Sequence, residues 1–360
     1  MSGVRLAAAG DLLLCCAPGE APTRAAAAER FAGVRDLLAE ADIRLANLEC
    51  TLPGDGGTVA TEPAVVTSIE WIDAVAAAGF DVLCLANNHM FDCLEGGFRR
   101  VREALEARGV ACFGAGLTLA EARRPAVVER GGVRVALLGG ADRRSGTRKF
   151  ASADGWGVAP LETEDVCRQI RAAREQADHV IVCPHWGEER FLIPAPEQAA
   201  QARAWIEAGA SAILGHHPHV LQGMQRHAGK PIVYSLGNFA AEDVPFSDGD
   251  VMRWSRVERT GCLFLAEFGA GGVENARRVA TFDDGACVRP AAEAWGRKRL
   301  AKVDRALAAG VTPGRYRREH LWVKTVRPTL AHLRWRRLKR LRWRNVRNAW
   351  RRLAQAGRAG

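Results

Sequence analysis

Five short apolar runs in this chain each stop on polar residues able to bind a metal or carry a proton, a pattern few architectures accommodate. Residues 5–9 end in Gly10-Asp11, 43–48 run through Asn47 to Glu49, and 82–86 end in Asn87-Asn88-His89. Residues 179–183 lead to His185-Trp186-Gly187, and 211–214 to Gly215-His216-His217-Pro218-His219. Runs of this length read as strands, and the stretches between them carry the 3.6-residue apolar period of helices, which together predict an α/β fold. In open α/β sheets ligands bind beyond the carboxyl ends of the strands. That is where five of the nine histidines fall.

The same reading places further strands at 110–113, 133–138 and 231–235, and helices at 25–41, 69–78, 95–107, 163–176 and 196–208. Gly109 and Gly209 stand where helix-terminating glycines belong. Residues 262–268, 273–281 and 286–289 read as antiparallel strands, the first two joined by a glycine turn at 269–272. No internal repeat of 20 to 50 residues is present.

Of the 360 residues 48% are hydrophobic, which excludes a disordered chain. The ten cysteines are scattered without paired CxxC spacing, as expected of reduced packing residues in a cytosolic protein. No apolar run reaches the roughly 17 to 25 residues of a spanning helix. The segment 4–16 is interrupted by Asp11 and reads as the start of the fold rather than as a signal peptide. Charge is unevenly spread. Residues 297–360 hold 21 basic and 2 acidic residues, so of 51 basic and 41 acidic in all, 30 and 39 remain for residues 1–296: a mildly acidic body with a strongly basic tail.

Asp11 alone reads as a turn residue and Glu49 alone as a solvated strand end. His217-Pro218-His219 is more specific. Proline favours extended backbone before it, and residues two apart in an extended chain point the same way, so two imidazoles are expected to face one point. With His185, an Asn beside a His and two carboxylates, the set matches the ligand chemistry of divalent transition metals such as Mn, Fe or Zn, as one ion or two. His216 points away and reads as structural. Residues 235–239, Ser-Leu-Gly-Asn-Phe, read as a tight turn after a strand.

These residues resemble the CapA family of capsule-synthesis proteins, linked to poly-γ-glutamate, within the calcineurin-like metallophosphoesterase superfamily. The resemblance covers about residues 4 to 290. It runs through GD at 10–11, ANLE at 46–49, LANNHMFD at 85–92, HWGEE at 185–189, GHHPHVLQ at 215–222 and YSLGNF at 234–239. It implies a metallophosphoesterase-like four-layer α/β/β/α sandwich. It also implies Asp11 as a ligand of one metal, Glu49 as the bridging carboxylate, Asn88, His185 and His217 around a second metal, and His219 returning to the first. His89 matches the histidine over the leaving group, and Asn87, Glu189 and Asn238 are expected to support the ligands or the substrate. Leu13 departs from the pattern: the superfamily usually has a histidine there, which leaves the first metal a ligand short.

The expected domains are the sandwich at 1–290, a linker or helical extension at 291–330, and a basic amphipathic helix at 331–360. On a helical wheel Trp335, Trp343 and Trp350 share a face, flanked by Arg336, Arg340, Arg344, Arg347 and Arg351. Such a helix suits an anionic membrane surface or an anionic polymer; nucleic acid is the lesser expectation because no base-reading fold accompanies it. A helix docking its apolar face on the body is the alternative. Function follows the resemblance: a metal-dependent hydrolase, of phosphoesters or amides, acting in synthesis or export of an anionic capsule polymer, cytoplasmic and peripheral at the inner face of the membrane. The rival is a non-catalytic accessory subunit that binds polymer or its precursor beside a membrane-bound synthase.

Overall fold

In the first strand, Val4, Leu6 and Ala8 turn to one side and Ala7 and Ala9 to the other, and all five are buried. A strand buried on both faces belongs in the interior of a layered structure. The computed structural model describes residues 3–17, 19–59 and 63–332. Its main strands are β1 (Val4–Leu13), β2 (Ile43–Leu48), β3 (Val82–Cys84), β4 (Ala111–Phe113), β5 (Ala126–Arg130), β6 (Val133–Ala141), β7 (His179–His185), β8 (Ala212–Leu214), β9 (Met224–His227), β10 (Lys230–Val233), β11 (Asn238–Ala241), β12 (Thr260–Gly269), β13 (Gly272–Asp283) and β14 (Val288–Pro290). One sheet runs β14-β13-β12-β1-β2-β3-β4 with β11 also paired to β1; the other runs β9-β10-β8-β7-β6-β5.

The strand period of two sorts side chains into three apolar layers. Leu6, Ile43, Leu45 and Val82 of the first sheet meet Val135, Leu137, Ile181 and Leu214 of the second in a core between the sheets. Ala46, Leu48 and Leu83 face outward against Trp71, Phe98 and Val101 of the helices Ile69–Ala77 and Leu94–Glu106. On the far side, Ala136, Val180 and Val182 pack against Ile170 and Trp205 of Thr163–Arg174 and Pro196–Glu207. The result is the expected four-layer α/β/β/α sandwich.

Where the fold departs from the sequence reading, tertiary contacts explain it. The helix expected at 25–41 breaks into Arg24–Glu29, a 3₁₀ turn Ala32–Val34 and Arg35–Ala39. The Arg30 carbonyl accepts from Val288 N at 2.8 Å instead of continuing the helix. Strands β5 and β9 lie at the sheet edges and form hairpins through Gly131-Gly132 and Ala228-Gly229, all four at positive φ. Residues 235–239 are only partly a turn: Gly237 turns at φ +68°, and β11 then enters the sheet parallel to β1. Gly10 permits this, since a Cβ there would lie 1.8 Å from the Gly237 carbonyl oxygen.

Within the expected extension at 291–330, the helix Glu293–Ala308 sends Val303 and Leu307 into the core. Asp304 accepts from Met224 N at 3.0 Å and pairs with Arg278 at 2.6 Å. The helix Pro313–Leu321 follows, then a π-helical turn Trp322–Val326 and Arg327–His332. The basic helix expected at 331–360, with Trp335, Arg336, Arg340, Trp343, Arg344, Arg347, Trp350 and Arg351, lies outside the described residues beyond position 332.

Candidate metal centre

The carboxyl ends of strands from both sheets meet at one place. β1 delivers Asp11, β2 Glu49, the loop after β3 Asn87, Asn88 and His89, β7 His185, and the loop after β8 His217 and His219. Asp11, Glu49, His185, His217 and His219 are all buried there, and Asn88 and His89 are half-buried. The His185 and His217 rings are 4.7 Å apart and the His217 and His219 rings 5.6 Å. Two groups have ligand atoms mutually within 4.8 Å: Asp11, Glu49 and His219, and Glu49, His185 and His217. Glu49 belongs to both, and Asn88 Oδ1 lies 2.7 Å from His185 Nε2.

The two imidazoles converge by a route other than the one expected. His217 has φ +96° and His219 φ +54°, so the segment is a left-handed turn rather than an extended one. Backbone this unfavourable for a side-chain-bearing residue is held by its surroundings. Asp11 Oδ2 accepts from His217 N at 3.2 Å, and Pro218 O accepts from Arg190 N at 2.8 Å. His216 is structural as expected: its backbone bridges to His185, and its Nε2 lies 3.4 Å from Ala9 O.

Around the ligand atoms runs a hydrogen-bonded frame. Asn47 Nδ2 donates to Asp11 Oδ1 at 2.9 Å and Glu49 Oε2 at 3.2 Å. Asn87 donates to Asn47 Oδ1 at 3.1 Å and to Leu48 O at 2.7 Å, and accepts from His89 N at 3.1 Å. Asn238 Oδ1 meets His219 Nδ1 at 2.9 Å. His89 Nδ1 lies 2.7 Å from Asp92 Oδ2, which also accepts from Val65 N at 2.8 Å. The sequence reading assigned no role to Asn47, Asp92 or Trp254, whose ring lies 5.3 Å from that of His219. Asn47 and Asp92 sit inside the ANLE and LANNHMFD motifs; no local pattern marks Trp254.

Charge in the centre is unbalanced. Burial, with repulsion from Asp11 adding to it, raises Glu49 well above the usual carboxylate range. Burial also opposes the charge on Asp11, but the hydrogen bond with His219 and the neighbouring histidines hold it below its ordinary value. His219 is raised to about 10 despite burial, because Glu49 and Asp11 face it. Burial takes His217 down to about 3 and His185 well below its ordinary value, each imidazole reinforcing the next. Burial likewise opposes the charge on Glu189, but His219 and His217 hold its carboxyl below the usual range.

The residues fit a divalent cation. Glu49 Oε1 and His217 Nδ1 are buried with no hydrogen-bond partner, and His185 sets its Nε2 3.5 Å from that oxygen. Each such orphan costs about 1–3 kcal/mol when no ligand takes it, and imidazole with carboxylate is a donor set that transition-metal ions accept. Leu13, where the superfamily pattern has a histidine, is buried in the outer apolar layer and offers no ligand.

A family model described as bacterial capsule synthesis protein PGA_cap matches residues 5–243. The chain belongs to that family. "Capsule biosynthesis protein CapA" of Bacillus anthracis is 38% identical over 174 residues, 47% of this chain and 42% of the relative. "Probable polyglutamine synthesis accessory protein Rv0574c" of Mycobacterium tuberculosis (strain ATCC 25618 / H37Rv) is 32% identical over 208 residues, 55% of each chain. The chain spans about half the length of these curated relatives. A solved structure described as a novel phosphatase from Mycoplasma pneumoniae is 14% identical, covers 79% of this chain and 95% of its own, and has a TM-score of 0.52, a likeness of fold. Among the described residues no helix is long and apolar enough to cross a membrane.

Proposed function

We propose that this PGA_cap member is a metal-dependent hydrolase acting in the synthesis or export of an anionic capsule polymer of poly-γ-glutamate or polysaccharide type. The observation that carries the reading is the pair of ligand groups sharing Glu49. Asp11, Glu49 and His219 would hold one ion, and Glu49, His185 and His217, with Asn88 beside them, a second. A divalent cation there supplies Lewis-acid chemistry at a phosphoryl or carbonyl oxygen.

The remaining work falls to the chain's own side chains. His89 gives its Nδ1 to Asp92, which fixes the ring and leaves Nε2 as the nitrogen that passes a proton to the leaving group. Asn47 orients both carboxylates through one amide group, and Asn238 fixes His219. Glu189 stands near enough to His219 and His217 for their charge to act on its carboxyl. The basic segment 331–360 is assigned to an anionic membrane surface, next to a membrane-bound synthase whose polymer or precursor the centre receives.

Leu13 favours a second reading, an accessory subunit that binds polymer without turning it over. Metal analysis of the purified protein with a phosphoester and amide hydrolysis screen separates the two. For an enzyme, His89→Ala keeps its metal and loses roughly 10² to 10⁴ in turnover. Unchanged hydrolysis or polymer production in that variant supports the accessory reading. His217→Ala lowers metal content under both.

A further inference from the structure

We propose that the exposed face of residues 317–330 docks on an anionic lipid bilayer and thereby sets the metal centre against the membrane surface. Three large apolar side chains stand out of this stretch: Leu321 is 44% exposed, Trp322 51% and Leu330 51%. Arg317, Arg318 and Arg327 are exposed beside them. Glu319 is the sole acid from 313 to 332, and its carboxylate is turned inward, accepting from Leu192 N at 2.8 Å. The exposed residues of 317–330 are thus apolar or basic, and Glu188 on the neighbouring loop is taken up by Lys324. Tryptophan favours the headgroup boundary, arginine pairs with anionic headgroups, and apolar area drives insertion. A soluble protein partner would need matching acids and a complementary pocket; a bilayer needs only this composition.

The segment is joined to the centre through the loop 188–192. Phe191, buried, packs against Tyr316 at 5.3 Å and His320 at 5.9 Å, and Lys324 pairs with Glu188 at 2.8 Å. The same loop carries Glu189, which faces the histidines, and Arg190, whose N–H donates to Pro218 between His217 and His219. A bilayer under 317–330 therefore lies beside the loop that flanks the ligands, and an anionic polymer or lipid-linked precursor reaches the centre from the membrane plane. That consequence rests on the reading of the centre as substrate-processing; the docking does not.

The test is sedimentation of the full chain with vesicles of phosphatidylglycerol in phosphatidylcholine, against phosphatidylcholine alone, with and without bound metal. Wild type is expected on the anionic vesicles in either metal state, with hydrogen-exchange protection across 313–332. Substituting Leu321→Ser, Trp322→Ser and Leu330→Ser together should weaken binding by roughly tenfold or more, because apolar area is lost. Substituting Arg317→Gln, Arg318→Gln and Arg327→Gln together should weaken it by roughly a hundredfold, at about 1 kcal/mol per charge, while the basic residues after 332 keep a residual preference for anionic lipid. Both sets are on the surface and should leave the melting temperature unchanged. Binding that both sets leave intact, or protection confined to residues after 332, overturns the proposal. So does an oligomer of the lipid-free protein that the apolar set dissolves, since the face is then a protein interface. Vesicle binding by a protein that takes up no added divalent metal and hydrolyses no phosphoester or amide defeats the hydrolase reading alone.

Discussion

Arg30 and Glu49 are both fully buried charged residues close to the first sheet, and their surroundings differ in kind. The Arg30 guanidinium lies 2.7 Å from Asp283 and 2.9 Å from Glu242, and Asp283 also accepts from Ala241 N at 2.8 Å. Opposite charges there are already matched inside the protein. Glu49 has His185 at 3.5 Å and His219 at 3.6 Å, but Oε1 has no hydrogen bond, and neighbouring groups move each other's protonation far from ordinary values. Arg30 Nε and Nη1 and Glu242 Oε1 also lack hydrogen bonds, so the difference lies in charge: the first cluster sets a guanidinium against carboxylates, whereas the second sets carboxylates among imidazoles, the donor set proposed above to take a cation.

Substitution should separate them most sharply. Arg30→Met leaves buried carboxylates uncompensated and should destabilise the fold by about 3–5 kcal/mol, read by urea denaturation. Glu49→Gln should instead leave the metal-free protein as stable or more so, because it removes a charge that burial opposes, while metal binding measured calorimetrically collapses. Equal losses of stability in the two variants would erase the distinction. Next in size, metal at about a hundredfold above its dissociation constant should stabilise wild type by about 2.7 kcal/mol and leave Glu49→Gln unmoved.

Proton linkage supplies a finer contrast. His219, raised from 6.5 to about 10, contributes stability present below pH 6.5 and lost as pH rises toward 10. His217, lowered from 6.5 to about 3, contributes stability present above pH 6.5 and lost as pH falls toward 3. These two groups place a stability maximum of the metal-free protein near neutrality. Metal replaces the proton on His219, so the alkaline limb should flatten when it is bound. Denaturation midpoints from acid to alkaline pH, with and without metal, check this; parallel curves would show that His219 is not a ligand. The smallest effect is expected for Asp92→Asn, which should lower turnover less than His89→Ala does and leave metal content unchanged.

The convergence of Asp11, Glu49, Asn88, His185, His217 and His219 was legible because each follows an apolar run, and sheet geometry brings such ends together. The cause assigned to His217 and His219 was not: spacing suggested an extended segment, whereas Asp11 and Arg190 hold a left-handed turn. β11 was hidden for a related reason. Its place beside β1 depends on the close approach of Gly10 and Gly237, two residues far apart in sequence. The break in the 25–41 helix likewise depends on Val288, and Trp254 reaches His219 from a loop with no distinguishing pattern.

On the proposed reading, the shared position of Glu49 also governs how two ions would fill the centre. Two cations leaning on one carboxylate divide its charge, so whichever arrives first takes the fuller share and the second meets both a poorer donor and a like charge. Occupancy should therefore climb in two separated steps, giving a broad isotherm. At intermediate metal concentrations the population is dominated by singly loaded molecules, whose chemistry can be assayed on its own.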